Sequence, residues 1–597
     1  MVHRIEIGFR EGIRDVLGER TKRKITEHLG ISLEKVQTID VYTIEGDLGK
    51  ATLEDIAGGP LSDPIIQRYA IDRGLAEDFD WLIEVGFRPG VTDNVGKTAK
   101  AAIQFFVGDI ESGHLDVYTS RQYIIKGTLD RNDIEKIASR LLANELIQRY
   151  EIVNAKDWNP AKGMNASVPR VVIDDGPDIT EIDLDVKDEE LQEISAKMVL
   201  ALTTDEMKII GNYLKDESVV IERKKVGLGE RITDAELESL AQTWSEHCKH
   251  KIFNSLITYR EEEGTITAID SLFDTFIKGS TKRIREGLED DDWCLSVFVD
   301  NAGIIKFNDA FNLVFKVETH NSPSALDPYG GALTGIVGVN RDPFGTGKGA
   351  RLIFNTDVFC FASPYYSKKL PPRVLHPRRI YEGVREGVEH GGNKSGIPTV
   401  NGCIVFDERY LGKPLVYCGT GGIMPSRILG EETHTKEIYP GDLIVMTGGR
   451  IGKDGIHGAT FSSEELHEGS PVTAVQIGDP ITQKKMTDFL LIARDRGLFR
   501  AITDNGAGGL SSSVGEMARL CGGCKMDLMN APLKYAGLKP WEILISEAQE
   551  RMSLAVDPDR IDELLELAGK MDVEATVLGT FTDSGMFHIL YDGRTVA

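Results

Sequence analysis

The sequence is poor in what secreted, membrane-spanning and nucleic-acid-binding proteins need. Its seven cysteines are an odd and scattered set, which argues against a disulfide framework and for a reduced compartment. No apolar run approaches the roughly 20 residues that cross a bilayer, and MVHRIEIGFREG has no apolar signal-peptide core; a cytoplasmic location is expected. Positive charge is scarce: 69 Lys and Arg face 94 Asp and Glu, a formal net charge of −25. That balance excludes a general nucleic-acid or anionic-membrane binder, leaving room only for a local basic pocket. Neither a Walker A loop nor a dinucleotide G-x-G-x-x-G is present. The single C-x-x-C, Cys521 to Cys524, has no second pair to complete a zinc site and reads as a glycine turn after a helix.

What is present is abundant glycine, 62 residues in a chain of 597, long enough for three or four domains. The first 150 residues hold a repeat: IEIGFREGIRDVLG (5–18) matches IEVGFRPGVTDNVG (83–96) at eight of fourteen positions. Each copy leads through a helical stretch to a strand, IDVYT (39–43) and LDVYT (115–119). Two small α/β units paired through their sheets are expected. Their strands lack clustered acids or bases, so the region reads as a packing or interaction module. Ten Asp and Glu in 174–193 mark a solvated linker, followed by amphipathic helices. From about 225 glycine-rich α/β sequence runs to the end, with a break near EIYPGD (436–441). The domains expected are 1–155, 156–225, 226–435 and 436–597. The chain stops at YDGRTVA soon after a strand-like FHILYD, which reads as a linker cut short.

Two stretches carry chemistry. In TDAELESLAQTWSEHCKH a capping box joins Thr233 to Glu236, and Leu237, Leu240, Ala241 and Trp244 form one helical stripe. At about 100° per residue, Cys248 joins that stripe while Glu246 and His250 point away and His247 sits at its edge. The four groups therefore cannot converge on one zinc ion, but a Glu246–His247–His250 arc can face a cleft; a structural histidine remains the alternative. In NLVFKVETHNSPSALDPYGG (312–331), alternation puts Lys316, Glu318 and His320 on one strand face. A cation, a carboxylate and an imidazole together suit a phosphate, its magnesium ion and a proton transfer. In the following helix Gly331, Gly335 and Gly338 line one side, its N-terminus is a candidate anion site, and Arg341 and Asp342 lie at its far end. The alternative is a solvated strand edge with a surface ion pair. Loops at 391–402, 448–463 and 502–510, with VQIGDP (475–480) and SEAQERM (546–552), suggest a phosphorylated ligand.

In this order WSEHCKHKIF, FKVETHNSPSA, GVNRDPF, GGRIGKDGIHGATFSS, VQIGDP and SEAQERM resemble phosphoribosylformylglycinamidine synthase over essentially the whole chain. The resemblance implies an α/β and α+β multidomain fold: a PurS-like tandem repeat, a helical linker, then aminoimidazole ribonucleotide (AIR) synthetase-like N- and C-terminal domains. It implies a ligase of purine biosynthesis that converts formylglycinamide ribonucleotide (FGAR), ATP and glutamine-derived ammonia to formylglycinamidine ribonucleotide, ADP and phosphate through an iminophosphate. By motif, His247 and His320 would be catalytic, and His250 and Lys316 would contact ATP. Glu318, Asp342 and Asp504 would hold Mg2+. Substrate would meet Thr319, His320, Asn321, Ser322, Arg341, Gln476, Glu547, Ala548 and Gln549. His250 stands where small-type members have Tyr, although large-type members also read HC-[KR]-H, and Ser322 replaces the second His of the usual HNHPS. The family carries two tandem copies of the two-domain unit and this chain only the first, so a second-half polypeptide and a PurQ-like glutaminase are the expected partners. A non-catalytic assembly subunit and a stand-alone ATPase of the AIR synthetase superfamily are the competing readings.

Overall fold

In the computed structural model, which describes residues 1–108, 115–145, 147–171, 178–458 and 477–597, the duplicated sequence becomes a six-stranded antiparallel sheet. Its order is Gln67–Ile71, Val2–Phe9, Lys35–Gly46, Leu115–Lys126, Trp81–Phe87 and Gln148–Asn154. The two long strands, one from each copy, pair along twelve residues at the centre. Each copy opens its first helix with the same device. Asp15 accepts from Gly18 N at 2.7 Å and from Thr38 N at 2.5 Å. Asp93 accepts from Gly96 N at 2.7 Å and from Thr119 N at 2.6 Å. The glycine is required, because a Cβ on Gly18 would lie 2.3 Å from Val36 O and one on Gly96 2.5 Å from Val117 O. Thr38 and Thr119 are therefore counterparts, and the likeness of IDVYT to LDVYT is out of structural register: residues 36–38 of the first copy correspond to 117–119 of the second.

The expectation that these strands carry no charge cluster is also overturned. Arg4, 3% exposed, donates to Glu6 at 2.9 Å and to Glu84 at 3.1 Å, and Gln122 donates to the same two carboxylates at 3.0 and 3.1 Å. Glu6 and Glu84 occupy the same position in the two copies, so one guanidinium at the junction pairs with both. Period-two alternation assigns such residues to solvent; here both sheet faces are covered, one by the helices and the other by a second core containing Leu75, Leu82 and Met164. Trp158 completes that cover, donating to Ala76 O at 3.2 Å. The first unit consequently runs through Met1–Val172, beyond the expected boundary at 155.

The second unit spans Ile173–Ala597. Helices Asp188–Met198 and Thr204–Leu214 share a core with Leu237, Ala241 and Trp244, so the helix Asp234–Thr243 packs with the linker and not beyond an edge at 225. A six-stranded mixed sheet follows, in the order Cys294–Ser296, Gly303–Lys306, Phe311–Thr319, Leu415–Pro425, Arg351–Phe361 and Thr399–Phe406. Helices Pro328–Phe344 and Pro377–Ser395 enclose a core with one face of it. The opposite face is bare: Phe315 is 46% exposed, and the strand Thr399–Phe406 is exposed along its whole length. A seven-stranded sheet beginning at Leu443–Gly448 has helices against it and two cores. The expected break at 436–441 lies between the two sheets.

Breaking a buried ion pair from one side leaves an uncompensated charge that costs about 3–5 kcal/mol. Arg4→Met is therefore expected to strip hydrogen-exchange protection from the strands Val2–Phe9 and Trp81–Phe87. Adding Glu6→Gln and Glu84→Gln to it should restore most of that protection. Protection unchanged in Arg4→Met would contradict the assignment.

Candidate functional site

The capping box at Thr233 forms as expected: Thr233 accepts from Glu236 N at 3.1 Å and Glu236 accepts from Thr233 N at 2.9 Å. The helix then ends at Thr243, ten residues on, and does not continue through Cys248. Trp244 leaves helical geometry, Ser245 caps a new turn Glu246–Lys249 by accepting from Cys248 N at 3.1 Å, and His250 closes it with φ 54°. Extrapolating 100° per residue across that break put Cys248 in the core; it is exposed. Leu237 and Ala241 are buried, whereas Leu240 is 42% exposed and opens, with His247, into a cleft of about 1080 Å³.

The strand Phe311–Thr319 supplies the cleft's charged wall. Lys316 Nζ lies 2.7 Å from Asp342 Oδ2 and 3.1 Å from Glu318 Oε1, and donates to Asn301 O at 2.8 Å. The helix Pro328–Phe344 brings Arg341 and Asp342, both buried. Arg341 donates to Gln549 Oε1 at 2.6 Å and sits 3.8 Å from Asp504 Oδ2, at the end of the strand Ala501–Asp504. Three carboxylates and two cations from both sheet domains thus converge. His320 lies just past the strand end, its Nδ1 2.5 Å from Gly331 O. This approach needs glycine in the helix, since a Cβ on Gly335 would stand 2.9 Å from His320 Cβ.

Burial opposes charge on Lys316, but Asp342 and Glu318 outweigh it and raise its pKa. Burial likewise disfavours ionised Glu318, yet Lys316 holds its carboxyl below the ordinary value. Asp342 is pushed well up by burial, then by repulsion from Glu318 and Asp504; Asp504 is pushed up by burial despite Arg341. The wall is short of positive charge. Desolvation by the cleft walls lowers the pKa of both the half-buried His320 and the rim residue His247, favouring the neutral imidazole in each.

The other expected residues separate. Thr319, Glu547 and Gln549 line the cleft with the charged wall. Asn321 instead accepts from Val416 N at 2.8 Å, Ser322 is buried, and Ala548 is buried, with its carbonyl accepting from Arg551. Asn321 and Ala548 thus hold the chain in place, the buried Ser322 hydroxyl has no hydrogen-bond partner, and the residues lining the cleft are their neighbours. His250 is exposed beside the cleft, not among the residues lining it. Gln476 lies outside the described residues. The helix N-terminus at Pro328 is no anion site, because the buried Asp327 carboxylate lies over it, 2.2 Å from where a Cβ on Gly330 would be. Asn301 was not anticipated. Its carbonyl takes Lys316 and its amide donates to Asp504 Oδ1 at 3.0 Å, joining the two domains; DNAG in a polar loop carries no signal for this role.

Three domain families match in chain order: formylglycinamide ribonucleotide amidotransferase linker domain at 191–251, AIR synthase related protein, N-terminal domain at 299–424, and AIR synthase related protein, C-terminal domain at 439–592. The chain is 35% identical over 417 residues to phosphoribosylformylglycinamidine synthase subunit PurL of Thermoplasma acidophilum, covering 69% of this chain and 49% of that protein. To the subunit of the same name from Salinibacter ruber it is 35% identical over 374 residues, covering 62% and 44%. A solved structure of T. maritima PurL complexed with FGAR is similar at 30% identity and a TM-score of 0.48, over 63% of this chain and 54% of that one. The chain spans about half the length of the curated relatives it matches. It belongs to the family of phosphoribosylformylglycinamidine synthase subunit PurL.

Proposed function

We propose that this chain supplies the phosphoryl-transfer site for the ATP-dependent conversion of FGAR, with glutamine-derived ammonia, to formylglycinamidine ribonucleotide in purine biosynthesis. The observation that carries the reading is the wall of Lys316, Glu318, Asp342, Arg341 and Asp504, placed beside a half-buried histidine whose pKa is lowered. An amide oxygen leaves poorly. Moving the γ-phosphoryl group of ATP to it gives an iminophosphate and ADP; ammonia then forms the C–N bond as the C–O bond to phosphate breaks. Such chemistry needs positioning and charge neutralisation more than covalent help from the protein.

Lys316 and Arg341 are the cations that would meet the phosphates. Among the described residues no three His, Cys, Asp or Glu side chains form a preformed metal cage. An open acidic wall still suits magnesium, which keeps several waters and takes one or two carboxylates together with phosphate oxygens. Glu318, Asp342 and Asp504 would hold it, and the ion would supply neutralisation of phosphate charge. His320 accepts a proton through Nε2: Nδ1 faces the Gly331 carbonyl and must carry the hydrogen there, leaving the Nε2 lone pair free of that bond. His247, which also lines the cleft, would assist, and Gln549, placed by Arg341, would touch substrate. The ATP contact of His250 and the substrate contacts of Asn321, Ser322, Ala548 and Gln476 rest on motif alone.

The N-terminal repeat is read as PurS-like, its two copies sharing one six-stranded sheet. The bare apolar face of the six-stranded mixed sheet, in a chain that spans about half the length of the relatives it matches, supports a second-half polypeptide as its cover. A PurQ-like glutaminase would supply ammonia, and no helix among the described residues is long and apolar enough to cross a membrane.

With the second half supplied and ammonium as nitrogen source, His320→Ala is expected to lower kcat by about 10²–10⁴-fold while ATP still binds. The pH–rate profile gives an independent check. The pKa of His320 lies below its ordinary 6.5, so the neutral base persists under pH 6.5 and the rate falls only as pH drops through the lowered value. His320→Ala should abolish that acid limb. Full activity in the variant would remove His320 from the chemistry.

A further inference from the structure

Among the described residues Arg551 has the largest side chain that is fully buried, at 0% exposure, and no step of the chemistry proposed above involves it. It opens the strand Arg551–Val556 and folds back under the chain that precedes it. Nε donates to Ala548 O at 2.7 Å, Nη2 donates to Ser546 O, and Nη1 lies 3.8 Å from Met446 Sδ. Among the described residues it donates to no carboxylate. Burial, and then repulsion from Arg341, lower its pKa to about 10 against the pull of Asp454, Glu550 and Glu547, so it stays charged at neutral pH. A buried cation without a hydrogen-bonded carboxylate is destabilising, and an apolar side chain of similar volume fills such a space more favourably. What distinguishes the guanidinium from an apolar filler is the pair of carbonyls it holds.

Those carbonyls set the phase of the turn that feeds the cleft. Ser546 and Ala548 are fully buried, whereas Glu547 and Gln549, which alternate with them, line the cleft. The alternation stops at Glu550, whose φ of 60° is left-handed and whose carbonyl accepts from Gly449 N at 2.8 Å. On the cleft side Gln549 accepts from Arg341 at 2.6 Å and donates to Glu547 O at 3.2 Å. A slip of one residue in an alternating stretch exchanges its two faces, which here would turn Glu547 and Gln549 inward. We propose that Arg551 is a positioning residue for the substrate side of the cleft: its planar fork spans both inner carbonyls and so keeps Glu547 and Gln549 presented to FGAR. The inference rests on the functional reading above and adds a residue that acts through this turn without touching substrate. Lysine cannot replace it, because a single ammonium on a flexible stem does not hold two carbonyls in one fixed geometry.

The test uses the full chain with its second half supplied and ammonium as nitrogen source. Arg551→Lys keeps the charge and loses the fork; Arg551→Met, uncharged and of similar length, covers the case in which a buried lysine unfolds the chain. The KM for FGAR should rise roughly tenfold or more in either variant, the size expected for losing hydrogen bonds made by a charged group, while the KM for ATP stays at the wild-type value. A double-mutant cycle tests the route: added to Glu547→Ala and Gln549→Ala together, Arg551→Lys should raise the KM for FGAR no further. A wild-type KM for FGAR in a folded variant would overturn the proposal, and so would a further rise in that background. Unfolding of both variants, or equal losses for FGAR and ATP, would make Arg551 a structural group only and overturn it as well. A wild-type assembly that does not turn over FGAR would instead overturn the functional reading itself, and the positioning role with it.

Discussion

The site depends on one ammonium group. Lys316 is held by Asp342, Glu318 and the Asn301 carbonyl within 3.1 Å. It offsets repulsion among carboxylates that otherwise resist ionisation together. Arg341 does the same for Asp504 at longer range, through a helix packed between the two sheets. Because the cations come from the first sheet domain and Asp504 from the second, the electrostatic balance of the cleft and the closure of the two domains are one constraint. Asn301 expresses it most directly, touching Lys316 with its carbonyl and Asp504 with its amide.

Glycine makes the convergence possible. Gly331 lies against Pro323 and the Ser324 amide, and Gly335 against His320. A methyl group at either position would push the strand end and its histidine away from the helix carrying Arg341 and Asp342. In the first unit Gly18 and Gly96 serve the same need, close approach of a helix to a strand. The fold therefore uses glycine at contacts between elements as much as at turns.

Much of this was legible in the sequence, for identifiable reasons. Strand alternation put Lys316, Glu318 and His320 on one face because that strand runs unbroken to Thr319. The capping box and the small-residue side of the Pro328–Phe344 helix are local patterns, and both form. What failed was whatever depended on a break or on distant pairing. The turn at Trp244–Ser245 moved Cys248 out of the core. The duplicated unit slipped register between its helix and its second strand, so a local match misaligned the copies. Arg4, Glu6 and Glu84 meet across strands about 80 residues apart, a contact that no local period encodes. Asp327 closed the helix N-terminus that its position alone would leave open to an anion.

The central claim is that the acidic wall takes its metal together with a nucleotide and not alone. Manganese, a spin-active substitute for magnesium, tests it directly by electron paramagnetic resonance. With ATP present the full chain should bind Mn2+ at least roughly tenfold more tightly than without it, and Asp342→Asn should abolish that gain, because magnesium-type ions are held by few carboxylates plus phosphates. Equal Mn2+ affinity with and without ATP, or an unchanged gain in Asp342→Asn, would contradict the account.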